Sequence, residues 1–220
     1  MDRARVEDVM TRLFESGTVV ARRDGKLHRL SPVSVPPREG EVLRAWVRRE
    51  DATSTIEVGL GYGISALFIC DGLLANGHPS ARHVALDPNQ LEGFSDVGLQ
   101  VIDEAGATGM LQFYAERSEI ALPRFLSSGR LFDLAFIDGN HRFDGVFLDL
   151  IYLGRLVRAG GVIILDDYQL PSAKKAVRFC LTNLGWALQE EGAADPRHHW
   201  AVLRTAAVPL ERNFDHFVDF

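Results

Sequence analysis

The chain has 220 residues, 46% of them hydrophobic and 25% charged, which suits one domain with a full core and leaves little room for a second. A formal net charge of −6, with basic pairs such as Arg22–Arg23 and Arg48–Arg49 short and interrupted, disfavours a nucleic-acid-binding face. No apolar run approaches the roughly 18 residues of a membrane span, and the N-terminal stretch is amphipathic rather than signal-like, so a cytoplasmic location is expected.

Taken in chain order, the N-terminal stretch reads as a helix. VVARR-DG-KLHRL reads as a hairpin around Asp24–Gly25, and Ser31 to Gly40 as a proline-marked loop. These first 50 residues form an appendage, a substrate lid or a dimer arm, and residues 51–220 form the main domain. A strand from Ser54 to Val58 leads into glycines, a helix follows from Ile64 to Ala75, and Asn76–Gly77 stops it. The strand ARHVALD ends at Asp87, a helix spans about Ser95 to Ala105, and a short strand covers Leu111 to Tyr114. LFDLAFID, almost continuously apolar and ending at Asp138, reads as a strand buried on both faces. A helix from about Phe143 to Val157 leads into the strand VIILDD, Lys174 to Leu184 is helical, and WALQEEG with HHWAVLRT forms a closing antiparallel pair. This alternation is the pattern of an α/β protein with a doubly wound, mostly parallel, Rossmann-like sheet, here of seven strands with the last antiparallel. Cys70 and Cys180 sit in apolar helix-like stretches and read as core residues. Phe214, Phe217 and Phe220, spaced by three, read as one face of a short helix that packs on the core, on a partner or over a cleft.

In TIEVGLGYGIS, Glu57 precedes Gly59, Gly61 and Gly63 at the end of a strand, where open α/β folds bind ligands. A dinucleotide G-x-G-x-x-G would need glycine at Ile64, so that motif is broken. Asp87, 30 residues after Glu57, ends the next strand, where an acid accepts hydrogen bonds from ribose hydroxyls or caps a turn.

The E-x-G-x-G-x-G form resembles motif I of the class I S-adenosylmethionine-dependent methyltransferases. The resemblance implies that the turn of Gly59, Gly61 and Gly63 wraps the methionine part of the cofactor, with Glu57 toward its ammonium group and Asp87 on the ribose. AERSEIALPRF resembles the family's adenine-contacting loop and puts Ser118 at the adenine edge. FDLAFIDGNHRFDGVFLDLIYLGRLVRAGGVIILDDY, Phe132 to Tyr168, resembles the small-molecule O-methyltransferase branch, of catechol type and macrolide- and sugar-modifying type. The likeness covers about Thr55 to Arg204 and implies an enzyme that methylates a small hydroxylated molecule, commonly as a homodimer.

Asp138, Asp166 and Asp167 stand at the ends of neighbouring strands, and three converging carboxylates repel unless a cation or protons intervene. Hard oxygen ligands suit Mg²⁺. The alternative is that Asp166 or Asp167 caps a helix and Asp138 touches the cofactor. Asn140 occupies a position where relatives carry an acid, and an amide cannot be a base. His141 follows, at a position where catechol-type enzymes carry lysine; its ordinary pKa of about 6.5 suits proton removal from a hydroxyl, and the alternative is a structural histidine that caps the next helix. The competing readings are a nicotinamide-dependent oxidoreductase, which would share the fold and Asp87, and a noncatalytic cofactor-binding module.

Overall fold

A computed structural model describes residues 2–208 and 213–220. They divide into two compact units, one reaching Arg117 and one starting at Ser118.

The first unit opens with α1 (Arg3–Ser16). The Asp2 carboxylate accepts the Ala4 N–H at 3.0 Å, and Val6, Val9, Met10 and Leu13 bury one stripe. The expected hairpin forms between β1 (Thr18–Val20) and β2 (Leu27–Arg29), with Val20 opposite Leu27. Its loop, residues 21 to 26, is wider than a two-residue Asp24–Gly25 turn. Asp24 accepts the Lys26 N–H at 2.9 Å and the Ser95 hydroxyl at 3.0 Å, while Arg22 and Arg23 pair with Asp103 and Asp96. The loop is shaped by these anchors rather than by the local turn preference.

After the proline-marked loop comes α2 (Pro37–Arg49), a helix the sequence reading did not separate from the appendage. Its signals were present: proline in the first turn, Glu39 near the start, Arg48 and Arg49 near the end. Leu43, Trp46 and Val47 are buried, each such side chain contributing about 1.5–3 kcal/mol. α2 packs against α3 (Ile64–Asn76) at very close approach, since a Cβ on Gly40 would lie 2.1 Å from the Phe68 ring and one on Gly72 2.9 Å from Val47. Asp71 of α3, fully buried, takes Arg3 Nε at 2.7 Å and Arg44 Nη1 at 3.2 Å, tying α1 and α2 to α3. The strands of this unit, β3 (Ser54–Val58), β4 (Arg82–Leu86) and β5 (Leu111–Tyr114), run parallel, with α4 (Val97–Glu104) between β4 and β5 in sequence.

The second unit holds α5 (Ser118–Ser127), β6 (Phe132–Ile137), α6 (Phe143–Leu156), β7 (Val157–Leu165), α7 (Pro171–Asn183), β8 (Ala187–Ala193) and β9 (His199–Arg204). α5 was not foreseen as a helix, because Pro123 stands inside it. β6 and β7 are parallel, and β9 runs antiparallel to both β7 and β8. Leu134, Ala135 and Phe136 are consecutively buried, as a strand covered on both faces requires. The strand order β5-β4-β3-β6-β7-β9-β8 is the expected Rossmann-like sheet of seven strands with the last one antiparallel. Cys70 and Cys180 are free and buried in their helices, as expected.

The aromatic tail departs from expectation. Residues 213–220 contain no helix, and Phe214 is fully exposed. Asn183 holds the tail as an extended strap, donating to Val218 O and accepting from Val218 N, both at 2.8 Å, and Phe220 meets Phe179 edge-on at 5.0 Å. Two side-chain hydrogen bonds to the backbone outweigh the three-residue spacing, which is too short to nucleate a helix alone.

Asp149 of α6 is almost wholly buried, and burial pushes its carboxyl up to about 7 against the opposing hydrogen bond from Ser118. Because the folded pKa lies above the unfolded value of 3.8, the folded state holds the extra proton between these limits, and stability falls as pH rises from about 4 to about 7. Asp149→Asn keeps an oxygen for the Ser118 hydroxyl and removes the charge. It should melt several degrees above the parent at about pH 8, with the gap narrowing toward pH 4. An equal gap at both ends would remove the assignment.

Candidate functional site

In the first unit the chain leaves β3 through the three glycines. Gly59 N–H donates to Leu86 O at 2.8 Å, and Gly63 N–H to Leu60 O at 2.8 Å. Beneath the turn, Asp87 is 3% exposed, and its Oδ2 accepts Leu60 N–H at 3.2 Å, Gly61 N–H at 2.9 Å and Gln90 Nε2 at 2.9 Å. Among the described residues Oδ1 accepts only Asn89 N–H, at 2.7 Å, and is the oxygen with capacity to spare. Gln90, which the sequence reading missed, also donates to Gly61 O at 2.6 Å and locks the turn.

The glycines differ in what they need. A Cβ on Gly63 would sit 2.9 Å from Gly98 O, so Gly63 is required by close backbone packing. A Cβ on Gly61, at φ 51°, would meet nothing nearer than Val33 Cγ1 at 3.9 Å, so the space above it is open. Glu57 is fully buried. Ser65 Oγ donates to its Oε2 at 2.7 Å, while Oε1 has no hydrogen-bond partner among the described residues and faces His83 Nε2 at 3.1 Å.

In the second unit the loops after β6 and β7 meet at one concavity, lined by Asp138, Asn140, His141, Asp166 and Asp167. Ligand atoms of Asp138, His141 and Asp167 lie within 4.8 Å of one another. Asp166 does not join this cluster; its Oδ1 accepts the Asp167 N–H at 2.6 Å. Asp167 adopts φ 55°, an unusual backbone for a non-glycine residue, and this aims its side chain at His141, whose Nδ1 lies 2.9 Å from Asp167 Oδ2. Gln169 Nε2 donates to the other oxygen at 2.6 Å. The hydrogen bond to Asp167 raises the His141 pKa above its ordinary value against the opposing effect of burial, with the charges of Asp167 and Asp166 adding to the rise. Burial disfavours charge on Asp167, but its contacts with His141 and Gln169 prevail and hold the carboxyl below the usual range.

Asn140 builds the turn: its Oδ1 accepts the Arg142 N–H at 3.0 Å, and its side chain lies against Gly145, where a Cβ would come within 2.7 Å. Ser172 Oγ donates to His141 O at 2.7 Å and pins the loop to α7. Ser118 opens α5 and bonds Asp149, a contact that no sequence signal announced. Gln169 and Ser172 were likewise invisible, because their roles depend on loops distant in sequence.

A Rossmann-like sheet with a glycine turn after β3 and an acid–histidine cluster after β6 and β7 defines an α/β protein with polar groups gathered at strand ends. Residues 56–168, just over half the chain, match the family model described as a methyltransferase domain, and the chain belongs to that family. Tricin synthase 2 of Oryza sativa subsp. japonica is 32% identical over 143 residues, covering 64% of this chain and 46% of that protein. A caffeoyl-CoA O-methyltransferase of Stellaria longipes is 24% identical over 189 residues, covering 80% and 76%. The chain thus spans about half the length of tricin synthase 2. In fold it is similar to the O-methyltransferase TomG of Streptomyces achromogenes, solved with S-adenosylmethionine, with a TM-score of 0.69 at 16% identity over 94% of this chain and 91% of that one. It is equally similar to an O-methyltransferase of Bacillus cereus solved with S-adenosylhomocysteine, with a TM-score of 0.69 at 17% identity over 93% and 91%. No helix among the described residues is long and apolar enough to cross a membrane.

Proposed function

We propose that the chain is an S-adenosylmethionine-dependent O-methyltransferase of a small hydroxylated molecule, in which His141, oriented by Asp167, removes the acceptor proton. The observation that carries the reading is the 2.9 Å contact of His141 Nδ1 with Asp167 beside Asp138. With Nδ1 held by the carboxylate, Nε2 is left to accept a proton, and His141 is half exposed, so an acceptor can reach it. The relatives' names, a tricin synthase and caffeoyl-CoA O-methyltransferases, support a hydroxylated acceptor.

The residues of the first unit fit the cofactor: open space above Gly61, a Glu57 carboxylate oxygen that makes no hydrogen bond among the described residues and spare capacity on Asp87 Oδ1. On this reading Gly59, Gly61 and Gly63 approach the methionine part, Glu57 its ammonium and Asp87 the ribose, with Ser118 at the adenine edge and Asp138 beside the reacting end. When bound, the cofactor supplies an electrophilic methyl group; the chain supplies alignment and removal of the proton.

Asp138 and Asp167 present carboxylates to one point, which suits a hard cation completed by waters or acceptor oxygens; Asp166, the remaining acid of the proposed Mg²⁺ set, stands outside this cluster and adjoins it through the Asp167 N–H. A cation there would lower the pKa of a chelated hydroxyl. Because His141 and a cation would share the Asp167 carboxylate, metal removal should leave the base in place. Transfer of labelled methyl to a panel of phenols, sugars and other hydroxylated molecules, with and without EDTA, tests both parts. Full activity in a metal-stripped sample would eliminate the metal, and no transfer to any acceptor would favour the noncatalytic module.

The broken dinucleotide motif and the family match leave the nicotinamide reading without support. The first 50 residues as a lid or dimer arm, homodimeric assembly and a cytoplasmic location complete the proposal; light scattering that reports a monomer with and without cofactor would remove the dimer.

A further inference from the structure

Thr55 and Glu57 are two apart on β3, so their side chains share one face of the sheet, and His83 is paired directly beside Thr55 on β4. Four polar groups therefore line up within the buried interior: Thr55 Oγ1 lies 2.9 Å from His83 Nδ1, His83 Nε2 lies 3.1 Å from Glu57 Oε1, and Glu57 Oε2 accepts from Ser65 at 2.7 Å. Thr55, Glu57 and His83 are all fully buried and Ser65 is 5% exposed. Buried polar groups normally complete their hydrogen bonds, because leaving one unmade costs the full desolvation of that group. Here Glu57 Oε1 and His83 Nε2 are both left without a hydrogen-bond partner among the described residues although they face each other. An apolar residue at position 83 would pack between the strands without importing this cost, so a fold requirement alone does not account for the histidine.

We propose that His83 is a positioning residue that, with Ser65, fixes the Glu57 carboxylate so that Oε1 is kept free for the ammonium group of the bound cofactor. The inference rests on the cofactor reading and deepens it: Ser65 satisfies one oxygen, the His83 ring backs the other without bonding it in line, and Thr55 fixes the ring. Recognition of the amino-acid end of the ligand then depends on a residue one strand away from the glycine turn.

The test is calorimetric titration of the full chain with S-adenosylhomocysteine and with its desamino analogue, which keeps the carboxylate and lacks the ammonium. Wild type should bind the first about tenfold or more tightly than the second, as expected for a hydrogen bond to a charged group. His83→Leu should weaken S-adenosylhomocysteine by a similar factor and leave the desamino analogue within about twofold, and His83→Gln, which returns an N–H near the Nε2 position, should restore the preference. Ser65→Ala, which frees the opposite carboxylate oxygen, should give the same selective loss and serves if His83→Leu does not fold. Equal losses for both ligands, or no loss for either, would overturn the positioning role while leaving cofactor binding intact. Wild type that binds neither ligand would instead overturn the cofactor reading itself, and the inference with it.

Discussion

His141→Ala is expected to lower turnover by roughly 10²–10⁴-fold while acceptor affinity is nearly kept, the size and pattern of a lost general base. The base works only when neutral. Since the Asp167 hydrogen bond raises the His141 pKa, the wild-type rate should climb with pH through a value above the ordinary 6.5 of histidine, provided the chemical step limits the rate. His141→Ala should lose this limb. Asp167→Asn should keep a hydrogen-bond acceptor beside Nδ1 but remove the charge, so the limb should shift to lower pH and the rate should fall less than in His141→Ala. The two variants are to be compared in one buffer with saturating cofactor and graded Mg²⁺. If Asp167 serves mainly as a metal ligand, its variant will need more Mg²⁺ for half-maximal rate while keeping the pH limb. Wild-type turnover and pH dependence in His141→Ala would remove the base assignment, leaving activation to a metal or to proximity.

Gly61→Val and Gly63→Val should fail in different ways, although the two residues belong to one motif. The space above Gly61 is open, so the added side chain projects to where a ligand would approach, and cofactor affinity should fall about 100-fold or more. Its positive φ adds roughly 1–2 kcal/mol of backbone strain, so a modest loss of stability is expected beside the binding defect. At Gly63 the new Cβ would press on Gly98 O at 2.9 Å, in addition to strain at φ 80°. Neither side is flexible, because both partners are backbone, so the loss should appear first as a lowered melting temperature. Calorimetry and thermal unfolding on both variants separate these outcomes. Unchanged affinity in a folded Gly61→Val chain would withdraw the glycine turn from the cofactor site.

The sequence by itself determined the layers and the ends of the strands. Unbroken apolar runs such as LFDLAFID, glycine stops and the alternation of strand and helix are local consequences of burial and backbone preference, and β3, β5 and the start of α6 fall where these patterns put them. It also singled out Asp87, Asp138, Asp166 and Asp167 after apolar strands and Glu57 near the end of one, because acids beside apolar runs are visible without any knowledge of neighbours. α2 and α5 were lost against prolines whose helix-compatible positions are decided by packing. Only the tertiary structure decided which side chains meet. It brought His141 rather than Asp166 to the cluster with Asp138 and Asp167, through a positive φ at Asp167 that no residue type announces. It likewise set Gln90 under the glycine turn, His83 beside Glu57 and Asn183 against the tail. The reason is physical: periodicity along the chain fixes which face of an element a residue occupies, whereas hydrogen-bond distances across elements depend on strand register and loop path, and these are set by the whole fold.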